Sequence, residues 1–392
     1  LSSSRSPSLS LPEPPAELAE LSEALCRKVI AEIERDGPMP FDRYMSMALY
    51  EPGLGYYVNG LHKFGPAGDF VTAPEQGGLF AAALARQCDE LAEAFGPGWT
   101  LLELGAGSGV LARDLLAGLA SPPSEYLILE PSAPLREVQR ETLADLPEAL
   151  RERVRWITAP PAKAFEGVIV GNEVIDALAV ARFEVGHEGV LEQCVTFDGE
   201  RLQWTTRPPR PRLERAFDKL QQQLGRRLPA GYAGEIAVDL PDWVNTVTEP
   251  LARGLALFID YGYPRSEYYH PDRSDGTLVC HYRHRAHFDP FVWPGLTDLS
   301  AFVDFTAVAE AGLDAGLEVA GFTTQAGFLL ALGAHEAVEA ADDDAERLRL
   351  SGELKRLTLP GEMGEKFKVL GLERGLEIRL SGFGLMSQLH RL

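Results

Sequence analysis

Trp99-Thr100-Leu101-Leu102-Glu103-Leu104-Gly105-Ala106-Gly107-Ser108-Gly109-Val110-Leu111 is the stretch from which the fold follows. The apolar run from Leu101 to Leu104 predicts a buried strand, and Val110 to Leu116 has helical spacing. Between them stand three glycines at alternate positions, the residue type that accepts unusual backbone angles and lets a ligand approach the main chain. The helix that follows offers free N–H groups at its start. Strand, glycine loop and helix together predict a nucleotide-type site at the carboxyl edge of a parallel sheet.

The loop reads G-x-G-x-G followed by Val110 and Leu111, so it lacks the third glycine spacing of the dinucleotide fingerprint. It also lacks the Gly-Lys-Ser/Thr ending of a phosphate-binding P-loop. Glu103, just before the glycines, favours a cationic ligand over a pyrophosphate. A glutamate followed by G-x-G-x-G resembles the first motif of class I S-adenosylmethionine-dependent methyltransferases, whose cofactor carries an ammonium, a sulfonium and no phosphate. Downstream, Glu125-Tyr126-Leu127-Ile128-Leu129-Glu130 reads as a second strand ending in an acid. That acid lies about 20 residues after the loop, the spacing at which a carboxylate accepts hydrogen bonds from ribose hydroxyls. Glu130 thus supports an adenosine site without choosing between NAD and a methyl donor.

The 392 residues carry a formal net charge of -21 and are 45% hydrophobic, which fits a globular chain with a large core. So acidic a surface repels nucleic acid and anionic membrane and attracts basic partners. Cys26, Cys88, Cys194 and Cys280 are scattered, with no C-x-x-C pair; neither a disulfide framework nor a zinc ribbon is expected. No apolar run approaches the length of a membrane-spanning helix.

The expected organisation is a disordered lead over residues 1–15, a helical and lid region over 16–98, and a core in two parts, 99–181 and 254–392, interrupted by an inserted subdomain over 182–253. Helices are expected over Ala16 to Asp36 and from Met39 onward with a cap near Asp42. Strands are expected at Arg153–Ile157, Phe165–Val170, Gly254–Gly262, Leu317–Phe322 and Phe367–Leu372, the last antiparallel. Leu299 to Ala315 reads as one helix, and Arg182 to Thr206 as hairpin strands. If a helix begins at Asn172, that residue caps it and Glu173 and Asp176 share its first turn. His281-x-x-His284-x-x-His287 has a spacing that raises a metal site, but no suitable carboxylate partners accompany it; lining of a substrate pocket is the better reading, and no metal is expected.

Several ordered motifs carry a wider resemblance: Ala48-Leu49-Tyr50-x-Pro52-x-x-Gly55-Tyr56-Tyr57, Gly68-Asp69-Phe70-x-Thr72-x-Pro74-Glu75, the glycine loop, and Glu130-Pro131-Ser132. Gly171-Asn172-Glu173-Val174-Ile175-Asp176-Ala177-Leu178, Asp260-Tyr261-Gly262 and Met363-Gly364-Glu365-Lys366-Phe367-Lys368-Val369-Leu370 continue it. This set resembles the MidA-like methyltransferases, which include the mitochondrial complex I assembly-factor methyltransferase and its bacterial relatives. Gln76-Gly77-Gly78 and Ala179 depart from the family pattern. The resemblance implies an α/β class I methyltransferase fold with a seven-stranded Rossmann-like sheet, an N-terminal lid and an inserted substrate subdomain. It implies S-adenosyl-L-methionine as cofactor, held by Glu103, Gly105, Ala106, Gly107, Gly109, Glu130, Asn172, Thr72 and Pro74. It further implies methylation of a protein arginine, on a complex I subunit or its bacterial counterpart, in the bacterial cytoplasm or alternatively the mitochondrial matrix. The partner is then a protein with a basic, arginine-containing segment, not nucleic acid; homodimerisation stays open.

Arginine is protonated in water, so methylation of its nitrogen needs carboxylates to orient it and accept a proton. Glu173 and Asp176 are the candidates for that role, followed by Asp69 and Asp260. Nothing in the residue pattern alone selects arginine, and the double-Glu hairpin of better-known arginine methyltransferases is missing. The alternatives are methylation of another protein or a small molecule, and a non-catalytic cofactor-binding assembly chaperone. An NAD-dependent oxidoreductase is disfavoured by the glycine spacing and by the lack of a Tyr-x-x-x-Lys pair.

Overall fold

The structure, a computed structural model, describes residues 11–61 and 72–392. A mixed sheet carries the site. Its seven main strands are β1 (Thr100–Leu104), β2 (Glu125–Leu129), β3 (Val154–Ile157), β4 (Phe165–Asn172), β5 (Leu251–Tyr263), β6 (Glu318–Thr324) and β7 (Phe367–Arg374). They lie in the order β6-β7-β5-β4-β1-β2-β3, with β7 antiparallel to both its neighbours and the short strand Val303–Asp304 paired with the end of β5. This is the α/β class I methyltransferase fold. Because the chain leaves β1 toward β2 on one side and returns to β4 on the other, the carboxyl ends of β1 and β4 part around a crevice.

Helices cover both faces. Leu101 and Tyr126 point to the side packed by Leu79–Phe95 and Val110–Gly118. Leu102 and Ile169 point to the side packed by Leu240–Thr248 and Phe305–Asp314. The alternation is the two-residue period of a strand read on a sheet buried on both faces. Every residue of β1 is buried, and each fully buried leucine contributes about 1.5–3 kcal/mol of transfer free energy.

A second, antiparallel sheet joins the N-terminal region to the insertion. Met39–Pro40 pairs with Val190–Phe197, which also pairs with Leu202–Arg207 and Ala181–Val185; the last pairs with Ala233–Ile236. The helices Ala16–Asp36 and Phe41–Tyr50 pack on it through Leu25, Val29, Phe41, Met45 and Leu49. The second helix starts on Pro40 without a side-chain cap, so Asp42 is not the cap the sequence pointed to; its carboxylate instead accepts from Arg210 at 2.6 Å.

A small third sheet orders Arg285–His287, Val279–Tyr282 and Asp298–Ser300. Here the expected helix Leu299–Ala315 is corrected: Asp298–Ser300 pairs as a strand, and the helix begins only at Phe305, where the Asp304 side chain accepts from the Ala307 amide. No helix among the described residues is long and apolar enough to cross a membrane. Residues 1–10 of the expected lead, and Asp69 with its neighbours, lie outside the described residues.

Candidate active site

A cavity of about 650 Å³ opens at the carboxyl ends of the parallel strands. Each strand delivers polar groups to it: Glu103 from β1, Glu130 just past β2, Thr158 past β3, Asn172 and Glu173 from the end of β4, and Tyr261 from β5.

The glycine loop forms one wall. Gly105, Gly107 and Gly109 take φ of 62°, 53° and 83°, left-handed values that cost L-residues with a side chain roughly 1–2 kcal/mol each. Gly109 turns the chain into the helix Val110–Gly118 and leaves the helix start without a side-chain cap. It does not itself line the cavity, whereas Gly105, Ala106 and Gly107 do. Gln139 ties this wall together. Fully buried, it donates from Nε2 to the Gly107 carbonyl at 3.1 Å and to Glu130 Oε2 at 3.2 Å, and accepts from Trp156 Nε1 at 2.9 Å. Nothing in its sequence context singled it out. Gln139→Ala strands these partners, each at about 1–3 kcal/mol if water does not replace the bond. The expected loss in a urea unfolding experiment is about 2–4 kcal/mol, accompanied by weaker cofactor binding.

Glu130 is 4% exposed; its Oε1 accepts from the Ser132 amide at 2.9 Å. Burial raises its carboxyl above the usual range against these bonds. Glu103 is 2% exposed, receives the Tyr126 hydroxyl at 2.8 Å, and is pushed up to about 7 by burial. A cationic ligand group beside it would restore its charge.

Opposite stands the segment after β4. Glu173 has φ of 52°, an uncommon angle for a residue with a side chain and one that is concentrated at functional sites. Its amide donates to the Ile259 carbonyl at 2.8 Å, and its Oε1 accepts from Asn172 Nδ2 at 3.0 Å and from the Ala73 amide at 3.4 Å. No helix starts here, so the expected Asn172 cap is corrected. Instead the chain makes a turn whose Ile175 and Asp176 amides donate to Asp260 Oδ2 at 3.0 and 3.2 Å. Asp260 is fully buried and does not line the cavity; this former candidate for the chemistry positions the turn. Asp176 does line it, 8% exposed, with Oδ2 receiving the Tyr261 hydroxyl at 2.6 Å.

Burial drives these acids upward. Glu173 rises to about 8, from burial first and then the nearby Asp176 charge. Asp176 rises to about 6, from burial opposed by the Tyr261 bond. Asp260 is also raised, by burial and by Asp176 and Glu173. Glu173 keeps some exposed surface, and as a lining residue it turns that surface to the cavity.

The N-terminal region supplies the third wall through Tyr50, Tyr57, Thr72 and Pro74. The short turn Ala73–Gln76 that carries Pro74 is anchored from the far end of the chain: Arg356 donates to Gln76, and Glu353 accepts from the Leu79 amide at 2.6 Å. This accounts for Gly77. A Cβ there would stand 2.1 Å from the Glu353 carboxylate, and φ is 147°.

The three histidines do not converge on a metal. They lie on the hairpin Val279–Tyr282/Arg285–His287, where the register sends His281 and His287 to opposite faces and His284 sits in the turn. Only His281 lines the cavity among them.

The cavity fits a cationic adenosine cofactor. Its described lining holds five carboxylates (Glu103, Glu130, Glu173, Asp176, Asp298) and no lysine or arginine. Asn172 Oδ1 and Asp176 Oδ1 are buried without a partner among the described residues, the condition expected where a ligand supplies the missing donor.

The family model for S-adenosyl-L-methionine-dependent methyltransferases, Methyltransf_28, matches residues 83–323. The chain belongs to this family. It is similar at 42% identity to a COG1565 superfamily member from Burkholderia thailandensis whose crystal structure holds S-adenosyl-homocysteine; 98% of this chain and all of that one align, with a TM-score of 0.92. Among curated relatives, a mitochondrial protein arginine methyltransferase NDUFAF7 homologue of Drosophila melanogaster is 28% identical over 93% of this chain and 90% of its own. NDUFAF7 of Danio rerio is 27% identical over 89% and 87%. The methyltransferase uses S-adenosylmethionine, and the cavity at the switch in strand order is the place its fold provides for it.

Proposed function

We propose that this methyltransferase modifies an arginine side chain of a protein, with Glu173 and Asp176 receiving the guanidinium. The observation that carries this reading is the acidic lining: two carboxylates with raised proton affinity face the cavity, and among the described lining residues there is no lysine or arginine to oppose them. A guanidinium entering this space restores both charges and fills orphaned acceptors with its fork of donors. The names of the curated relatives support the same acceptor, and the resemblance adds that it lies on a complex I subunit or its bacterial counterpart.

S-adenosylmethionine supplies an electrophilic methyl group on sulfur. On this reading Glu103 sits by its ammonium, Glu130 accepts from its ribose hydroxyls, and Gly105, Ala106 and Gly107 let the backbone come close, with Asn172, Thr72 and Pro74 completing the enclosure. Glu173 and Asp176 hold the acceptor nitrogen in line with the methyl carbon, which is most of what such a displacement requires of a protein. As the nitrogen–carbon bond forms and the sulfur–carbon bond breaks, the bonding pair stays on sulfur and the nitrogen sheds a proton. Glu173, half-buried and with raised basicity, takes it.

The test is acceptor identification. Extract proteins are incubated with the enzyme and methyl-labelled S-adenosylmethionine, then hydrolysed to amino acids and resolved by mass spectrometry. Label in methylarginine is the expected result; label confined to lysine, another residue or small molecules overturns the arginine reading.

A further inference from the structure

The acceptor side of the cavity holds a second tyrosine–carboxylate pair that the reaction as derived above does not use. Asp298, on the strand Asp298–Ser300, is 4% exposed and receives the Tyr57 hydroxyl on Oδ1 at 3.1 Å. This repeats the arrangement of Asp176 with Tyr261. The two pairs are stitched into one wall. The Ala301 amide, just past Asp298, donates to the Asp176 carbonyl at 3.1 Å, and the Tyr50 hydroxyl donates to the next carbonyl, Ala177, at 2.9 Å. The Tyr50 and Tyr57 rings stack at 5.6 Å with 21° between their planes, and Tyr50, 40% exposed, lines the cavity.

We infer that Asp176 and Asp298, each held by a tyrosine hydroxyl, form a two-carboxylate clamp that selects a planar guanidinium, with the Tyr50 ring as the plate against which it lies. The inference rests on the arginine reading above and adds to it a specificity-determining residue, Asp298, from outside the nucleotide-binding strands. The chemistry favours guanidinium over ammonium for two reasons. A guanidinium presents donors along two edges of a plane, so carboxylates from two different segments, the turn after β4 and the strand Asp298–Ser300, can each take one edge. Its flat face also stacks on an aromatic ring, where an ammonium is a compact, strongly hydrated point charge. The tyrosine bonds orient the two carboxylates: Tyr57 holds Asp298 by Oδ1, and Tyr261 holds Asp176 by Oδ2, whose Oδ1 has no partner among the described residues.

The test compares the full-length wild type with Asp298→Asn and Tyr57→Phe, using a library of peptides each with a single arginine and a matched library with lysine in its place. S-adenosylhomocysteine affinity is measured in parallel by calorimetry. Asparagine keeps the size of Asp298 and its Oδ1 acceptor for Tyr57 but removes the charge. The expected result is a KM for arginine peptides at least tenfold higher in Asp298→Asn, with kcat changed less than threefold and cofactor affinity within twofold of wild type; Tyr57→Phe shows a smaller rise in the same direction. Asp298→Glu recovers part of the loss. A merely structural role would instead lower kcat and cofactor affinity together, which overturns the clamp, as does an unchanged KM. Failure of the arginine reading itself is seen separately, as a wild type that methylates no arginine peptide at all.

Discussion

Glu173→Gln lowers kcat by at least 100-fold and at the same time raises the melting temperature of the cofactor-free protein above pH 8. The loss of rate follows from the role assigned to the carboxylate: a positioned base is worth about 10²- to 10⁴-fold, and glutamine keeps the shape and the Asn172 and Ala73 contacts but accepts no proton. The gain in stability follows from linkage. Burial and the Asp176 charge raise Glu173 from an ordinary 4.5 to about 8, so between those values the folded chain holds a proton that the unfolded chain has released. Stability therefore falls as pH rises through that window and is lowest above about 8. Glutamine removes this penalty. Melting curves of the two proteins are expected to coincide near pH 5 and to separate by roughly 2 °C or more at pH 8.5. A variant that loses rate and stability together at every pH would assign Glu173 a packing role only.

Glu130→Ala weakens S-adenosylmethionine binding by at least 100-fold in calorimetric titration. The carboxylate is already fixed by Ser132 and Gln139, so in the role proposed for it, it would meet ribose hydroxyls without further ordering, and hydrogen bonds to a charged group contribute about 1.5–3 kcal/mol each. Glu130→Gln, which retains one acceptor, is expected to fall between the two. Equal affinity in all three would place the ribose elsewhere.

The donor half of this site is written in contiguous sequence. Strand, G-x-G-x-G and the acid after the next strand lie within about 30 residues of one another because a βαβ unit returns the chain to the same sheet edge. The acceptor half is not. Asn172-Glu173-x-x-Asp176 has the look of a helix start, and local spacing carries no sign that Asp260, on a strand over 80 residues later, captures the amides of Ile175 and Asp176. Likewise the apolar positions from Leu299 onward continue a helical period, yet Asp298–Ser300 is taken by pairing with Val279–Tyr282. That pairing brings Asp298 to Tyr57. Tertiary partners overrode local pattern in both places, and both lie where the acceptor is expected. Of the departures at Gln76-Gly77-Gly78, the Glu353 carboxylate packed against Gly77 explains the first glycine and the Arg356 bond holds Gln76; nothing in the structure explains Gly78.

The most direct test of the account is a crystal structure of the full chain with S-adenosylhomocysteine and an arginine peptide. The account predicts the guanidinium inside the cavity, with charged hydrogen bonds of about 2.7–2.9 Å from its nitrogens to Glu173 and Asp176 and one nitrogen facing the sulfur. An arginine held outside the cavity, or one whose guanidinium reaches the sulfur while Glu173 and Asp176 contact neither it nor its nearest water, contradicts it.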